Sequence, residues 1–319
     1  MVKSSLATAI CCTLALATSN VSAFEWDWYG KLELQALDVD KGLYRYADQG
    51  RQIEAPFSRL GVKAKHQLTD GLAIVAVYEW QVNGLDDANK DQRLGSRNTY
   101  IGVAGTYGEL VFGKNDTKFK KSEGKIDLFN ETLADIAQIT PAQDRLENVL
   151  SYQSPMIEGF NFSATWQTGA SDETAGGYDW VLGYGDPAFK KYPLYLAYGR
   201  TDELNNITAE RLLAQMPLWQ LDDAVLAAGL MVQHSEHVVR NIEGDAWLAQ
   251  LSYQRAHWVY KWQWQQDDSK TRHAEKARLH SIGVDYQWQK NLTAYLLLSK
   301  LNFKTDHDHA AALGMKFFF

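Results

Sequence analysis

An all-β chain that closes into a sixteen-stranded antiparallel barrel across a bilayer is the fold class this sequence predicts. Three observations carry that prediction. Apolar residues recur with period two, connections alternate between short and long, and an exported chain lacks any apolar run long enough for a membrane helix.

Period two comes first. In "WDWYGKLELQAL" Trp26, Trp28, Gly30, Leu32, Leu34 and Ala36 share one parity, and Tyr29, Lys31, Glu33 and Gln35 share the other. The pattern returns in "FSRLGVKAKHQL", where Leu60, Val62, Ala64 and Leu68 alternate with Arg59, Gly61, Lys63, Lys65 and Gln67. It returns again in "HWVYKWQWQQ", with Trp258, Tyr260, Trp262 and Trp264 set against Val259, Lys261, Gln263 and Gln265. From Trp26 to Phe319 there are about sixteen such runs of roughly 8–12 residues, the length of a tilted bilayer-crossing strand.

Connections come second. Short turns ("TDG" 69–71, "TYGE" 106–109, "IEG" 157–159, "QKN" 289–291) alternate with long polar loops such as "DKGLYRYADQGRQIE" and "DSKTRHAEK". A meander follows, with tight turns at one end and long loops at the other.

Export comes third. "MVK" is a charged start, "SSLATAICCTLALAT" an apolar-to-small stretch, and "VSA" at 21–23 a small-x-small cleavage site, so residues 1–23 read as a signal peptide. Residues 24–319 then form a single barrel domain, since 6 prolines and no Ser/Gly-rich linker interrupt them. Cys11 and Cys12 leave with the leader, so the mature chain has no disulfide to rely on. The longest mature apolar run, "AVLAAGLMV", is far short of the ~20 residues of a membrane helix. A chain without such a run crosses hydrocarbon only as a closed barrel, because every backbone polar group must be paired there. Aromatic residues gather at strand ends (Trp26, Trp28, Tyr78, Trp80, Trp247, Trp262, Trp264, Trp288), as interfacial girdles require. A soluble β-sandwich also alternates, but its buried parity is richer in Val, Ile and Leu.

The net charge of −7 becomes one unit more negative when Lys3 leaves with the leader. That balance argues against a nucleic-acid partner. It also leads us to expect a mild preference for cations, which a basic constriction would reverse.

One connection breaks the pattern. After "ELVFGKND" comes "TKFKKSEGKIDLFNETLADIAQITPAQD", about 28 residues before alternation resumes at "RLENVLSYQSP", and loops of that length are usually functional. Within it "DLFNETLADIAQI" has helical spacing, which places Asp127, Glu131 and Asp135 at i, i+4 and i+8 on one side. Like charges so spaced destabilise an isolated helix by about 0.2–0.5 kcal/mol per pair, so that side is expected to face cations. Lys31 and Arg59 lie on the wet parity, and Arg145 opens the next strand. Arg97 shares parity with Ile101 and Val103, which read as lipid-facing, so only a bulge would turn it inward. An acidic loop opposite basic wall residues makes a polarised constriction that selects solutes by size and charge.

"DWYGKLEL", "FSRLGVKAK", "SRNTYIGVAGTYGELVFGKNDT", "GKIDLFNETLADI", "RLENVLSYQSP" and the terminal Phe319 resemble, in order, the signatures of general porins of the Gram-negative outer membrane. The resemblance implies a sixteen-stranded antiparallel homotrimeric barrel with an inward-folded third loop. It implies an eyelet whose basic wall is Lys31, Arg59, Arg145 and either Arg97 or Tyr100 in the fourth-strand position. Asp127, Glu131 and, by extension, Asp135 would be the acidic side, and loop 83–96 the latch into a neighbouring subunit. The implied activity is passive diffusion of ions and small hydrophilic solutes, with no cofactor. The C-terminal Phe319 would be the signal to the barrel-assembly machinery.

Other constellations weigh less. Glu131 and Asp135 have the residue types of a glycosidase acid and base, but nothing in the sequence fixes their separation, and no enzyme is expected. "DHDH" at 306–309 reads as a polar loop tip near lipopolysaccharide rather than a metal site through His307 and His309. The tryptophan row of "HWVYKWQWQQ" reads as lipid surface, because Lys261, Gln263 and Gln265 take the other parity. A sugar-specific porin, signalled by 11 Trp and 16 Tyr, and a secreted carbohydrate-binding β-protein are the alternatives.

Overall fold

The structure is a computed structural model that describes residues 24–83, 93–169 and 176–319. The expected signal peptide, 1–23, and most of the expected latch loop, 83–96, fall outside the described residues.

Seventeen strand segments appear among those residues. They are β1 (Glu25–Val39), β2 (Gly50–Glu54), β3 (Arg59–Thr69), β4 (Leu72–Val82), β5 (Leu94–Gly105), β6 (Gly108–Asp116), β7 (Arg145–Gln153), β8 (Phe160–Gln167) and β9 (Gly177–Gly185). The circuit continues through β10 (Tyr195–Leu204), β11 (Ile207–Leu221), β12 (Ala224–His237), β13 (Ile242–Arg255), β14 (Trp258–Asp267), β15 (Ala277–Gln289), β16 (Leu292–Asn302) and β17 (His307–Phe318). Each pairs antiparallel with its neighbours, and β1 pairs with β17, so the sheet closes. Segments β2 and β3 lie along successive stretches of the same β1, Gln35–Val39 and Glu25–Lys31. They are one barrel strand broken where Phe57 adopts a positive φ of 53°. Sixteen barrel positions result, which removes every open sheet edge.

The outer surface is apolar and the inner parity polar near the seam. Trp26, Trp28, Leu32 and Leu34 are exposed, whereas Lys31, Glu33 and Gln35 are buried. Leu313, Met315, Phe317 and Phe319 are exposed on the closing strand, while Ala310 and Ala312 are buried. Such a surface is stable against hydrocarbon and costly against water. Trp258, Tyr260 and Trp262 face outward, with Gln263 and Gln265 fully buried on the other parity. At the short-turn end Trp258 and Tyr286 lie 4.7 Å apart between ring centroids, and Tyr286 and Trp288 lie 5.2 Å apart, part of an interfacial girdle.

The alternation of turns has two exceptions. The β10–β11 hairpin, at the long-loop end, turns on Asn205 and Asn206 alone, at φ 53° and 61°. Asparagine tolerates the two left-handed residues that a tight type I′ hairpin needs. At the opposite end β9 and β10 are joined by the longer stretch 186–194, which Asp186 organises by accepting N–H bonds from Ala188, Lys190 and Lys191.

The inner parity departs from expectation on β9–β17, where it is rich in small and apolar residues. The reason lies in segment 117–144. Its Phe129, Leu133, Ala134 and Ile139 pack with Leu37, Leu279, Leu297, Leu301 and Ala312, and its Ile126 and Ile136 pack with Val181, Leu213, Met231 and Leu248. Each large apolar side chain so buried contributes about 1.5–3 kcal/mol.

Candidate functional site

Segment 117–144 is where the structure most corrects the helical spacing. It holds one short helix, Lys118–Lys121, capped by the Thr117 side chain, and one 3-10 turn, Ile136–Gln138, capped by Asp135. Between them lie turns rather than an α-helix. A segment without a ladder must satisfy its backbone N–H groups from side chains, and two of the predicted acidic residues do this. Asp127 Oδ1 accepts from the Phe129 N–H at 2.9 Å and from Gln263 Nε2 at 2.8 Å, and its Oδ2 accepts from the Ile136 N–H at 2.8 Å. Asp135 accepts from the Ala137 N–H at 2.7 Å and from the Glu131 N–H at 2.6 Å. Neither makes an ion pair among the described residues. Of the three acids, Glu131 alone makes ion pairs with basic residues among the described residues.

Glu131 sits at a positive φ of 56° and is aimed by the Asp135 bond to its own N–H. Its Oε2 is 2.8 Å from Lys31 Nζ, and its Oε1 accepts from Arg59 Nη1 and lies 3.4 Å from Arg97 Nη2. Burial alone would raise this carboxyl, but the Lys31 and Arg59 charges outweigh it and hold the group at about 2.

Arg97 is buried on the inner side, in contact with Glu79 Oε1 at 2.6 Å. The register of β4 and β5 explains the inversion of parity: Tyr78 pairs with Thr99 and Trp80 with Ser96, so Arg97 and Asn98 together oppose Glu79. That two-against-one step is a β-bulge. Ile101 and Val103, beyond the bulge, are exposed on the outer face. Tyr100 is also on β5 but makes no hydrogen bond to Glu131 among the described residues.

Arg145 lies apart from Glu131. Its Nη2 is 3.1 Å from Asp116 Oδ1 and its Nε donates to Asn98 Oδ1 at 2.9 Å. Lys120 Nζ reaches the same Asp116 oxygen at 2.9 Å. Arg59, Arg97, Arg145, Asp116, Lys120, Lys121 and Glu131 all line one cavity of about 440 Å³.

Sequence reasoning missed Glu79, Asp116, Lys120 and Lys121. Glu79 stands between Tyr78 and Trp80 in "VYEWQV", so alternation already placed it on the wet parity. Glu33 was on that parity too, and joins the network through Lys31 Nζ at 2.6 Å and Tyr295 Oη at 2.8 Å. Phe319 ends the chain at the seam, its N–H and C=O paired with Gly30 at 3.2 and 3.0 Å. The seam thus runs from Gly30 to Val39 on the first strand.

Burial pushes the Glu123 carboxyl up to about 8, with the charges of Asp127 and Asp135 adding to the shift. Burial likewise raises both Asp127 and Asp135. The arrangement holds opposed charges face to face around an open space. Such an arrangement can sort solutes by charge and dipole.

A closed sixteen-position antiparallel barrel, apolar outside and charged within, defines a transmembrane β-barrel of the outer-membrane type. The chain belongs to the Gram-negative porin family, whose sequence pattern matches residues 4–306. Among curated relatives it is 31% identical to outer membrane protein U of Vibrio cholerae over 97 residues, 30% of this chain and 28% of that protein. The matched stretch is thus less than a third of that relative's length. Among solved structures, the anion-selective porin from Comamonas acidovorans has a TM-score of 0.70 at 16% identity, covering 93% of this chain and 100% of that one. OmpT of Vibrio cholerae in its trimer form has a TM-score of 0.65 at 14% identity, with 93% and 100% covered. These structural likenesses show the fold, and the family places the protein in the Gram-negative outer membrane.

Proposed function

We propose that the protein is a passive diffusion channel for ions and small hydrophilic solutes, narrowed by segment 117–144 folded into the barrel. One observation carries the reading: Glu131 of that segment meets Lys31, Arg59 and Arg97 of the wall beside a charged cavity. Asp127 and Asp135 act behind this contact by fixing the turns that present Glu131. Arg145 serves the far side of the same cavity. The apolar packing against β9–β17 confines the open path to the side of β1–β7. No step requires a cofactor.

The working unit in this reading is a homotrimer, as the trimer form of the OmpT fold relative supports, with Phe319 addressing the barrel-assembly machinery and the external loops facing lipopolysaccharide. Planar-bilayer recording tests the channel reading: stepwise conductance, closing in threes and linear in salt, is the expected result, and refolded protein that gives no channels would refute it. An unboiled gel sample should run as a heat-labile trimer.

A further inference from the structure

The cavity beside Glu131 is not electrically balanced. Five cations line it: Arg59 and Arg97 from the wall, Arg145 from β7, and Lys120 and Lys121 from the segment itself, while Lys31 beside it is matched by Glu33 at 2.6 Å. The ionic partners are fewer. Glu131 is shared by two of these cations and Lys31, Glu79 lies within 2.6 Å of Arg97 and 3.7 Å of Arg59, and one oxygen of Asp116 takes both Lys120 and Arg145. Lys121 Nζ has only the amide oxygen of Asn115, at 3.0 Å, and no carboxylate within ion-pair distance among the described residues.

Two other carboxylates line the space without restoring balance. Asp135 has each oxygen engaged by a backbone N–H. Glu123 accepts from Asn130 Nδ2 at 2.9 Å, and the Gln143 amide stands between it and Arg211. Arg211 thus offsets Glu123. Counting Asp135 as fully ionised, five positive charges face four negative ones, Glu79, Asp116, Glu131 and Asp135. Burial favours the protonated form of Glu123 and Asp135, which widens the surplus.

A net charge within a few ångströms of a narrow path outweighs charges farther off, because exposed charges are screened beyond a Debye length of about 8 Å at physiological salt. The acidic balance of the chain as a whole is therefore a poor guide to what passes. We infer that this channel prefers anions, and that Lys120, Lys121 and Arg145 give small oxyanions with two negative charges a transient resting place in the cavity. The inference rests on the channel reading above. It reverses the cation preference expected from composition and makes the loop a source of positive as well as negative charge.

The test is the reversal potential of the full-length channel under a potassium chloride gradient, for the wild type and for the Lys120→Gln/Lys121→Gln double variant. Both side chains are partly or fully exposed, so the variant should fold, as heat-dependent gel migration will check. The wild type should be more permeable to chloride than to potassium, and the double variant should lose that preference or invert it. The Lys120→Arg/Lys121→Arg variant should restore it. Inorganic phosphate added to the bath should reduce the chloride current of the wild type and do so less in the double variant. Channels that prefer potassium, or a preference for chloride unchanged by the double substitution, overturn this inference and leave the channel reading standing. Folded protein without channels overturns both.

Discussion

The Glu131 carboxylate and the Lys31 ammonium lie 2.8 Å apart, although a hundred residues of chain separate them. Lys31 also holds Glu33 at 2.6 Å, so removing the Glu131 charge leaves it one partner. Arg59 and Arg97 likewise keep Glu79. Glu131→Gln should therefore leave the barrel folded and weaken the seating of the segment by about 1–3 kcal/mol, the cost of losing charge-assisted hydrogen bonds in a partly buried site. One negative charge disappears from the constriction. The ratio of chloride to potassium permeability should rise, read from the reversal potential, and single-channel current should become noisier.

Glu123 predicts a dependence on pH. Its carboxyl is raised from about 4.5 to about 8 by burial, with Asp127 and Asp135 adding and Arg211 and Lys120 opposing. Between those values the seated segment holds a proton that the unseated one has released, so the Glu123 contribution to seating is full below pH 4.5, weakens as pH rises, and levels off above 8. Amide hydrogen exchange over 118–140, corrected for the intrinsic rate, should show less protection at pH 8 than at pH 5.5. Glu123→Gln should flatten that difference; equal protection in the wild type at both pH values contradicts the assignment.

The barrel itself was legible because period two is a property of the strand backbone, and each parity meets one solvent. Leu32 against Lys31 and Trp262 against Gln263 needed only counting. Arg97 was not legible by counting, since the bulge that turns it inward answers to Glu79 on another strand. The backbone bonds of Asp127 and Asp135 were hidden for a different reason. Helical spacing records where side chains would point, but not which backbone N–H groups lack partners once the helix is absent. The apolar inner parity of β9–β17 also had a partner only in three dimensions, the apolar side of the segment that carries Glu131.

Asp127→Ala tests that second role. The substitution leaves the Phe129 and Ile136 N–H groups and Gln263 Nε2 without their acceptor in a buried place. Each orphaned donor costs about 1–3 kcal/mol unless water reaches it. Asp127→Asn keeps one acceptor oxygen and should be milder. Exchange protection should fall over 127–138 in the alanine variant while the strands stay protected, and the current should fluctuate more. A purely electrostatic role for Asp127 predicts instead that both variants shift ion preference equally with protection unchanged.

Phe319 closes the seam. Its backbone makes both hydrogen bonds to Gly30, and a Cβ at Gly30 would stand 2.3 Å from its ring. Gly30 is thus the flat place on which the last ring lies. Deleting Phe319 removes two ladder bonds, worth about 0.5–1.5 kcal/mol each, from the pair of strands that closes the barrel. Gly30→Val keeps the C-terminal residue but pushes the ring away. If Phe319 acts only through packing, both changes should lower the heat-labile fraction of purified, refolded protein alike. If it is also the address read during assembly, the deletion should lower the amount of folded barrel in the outer membrane far more than Gly30→Val does, at similar refolding yield in detergent. Conductance per channel should change little in both, because Lys31, next along the seam, keeps its bonds to Glu33 and Glu131.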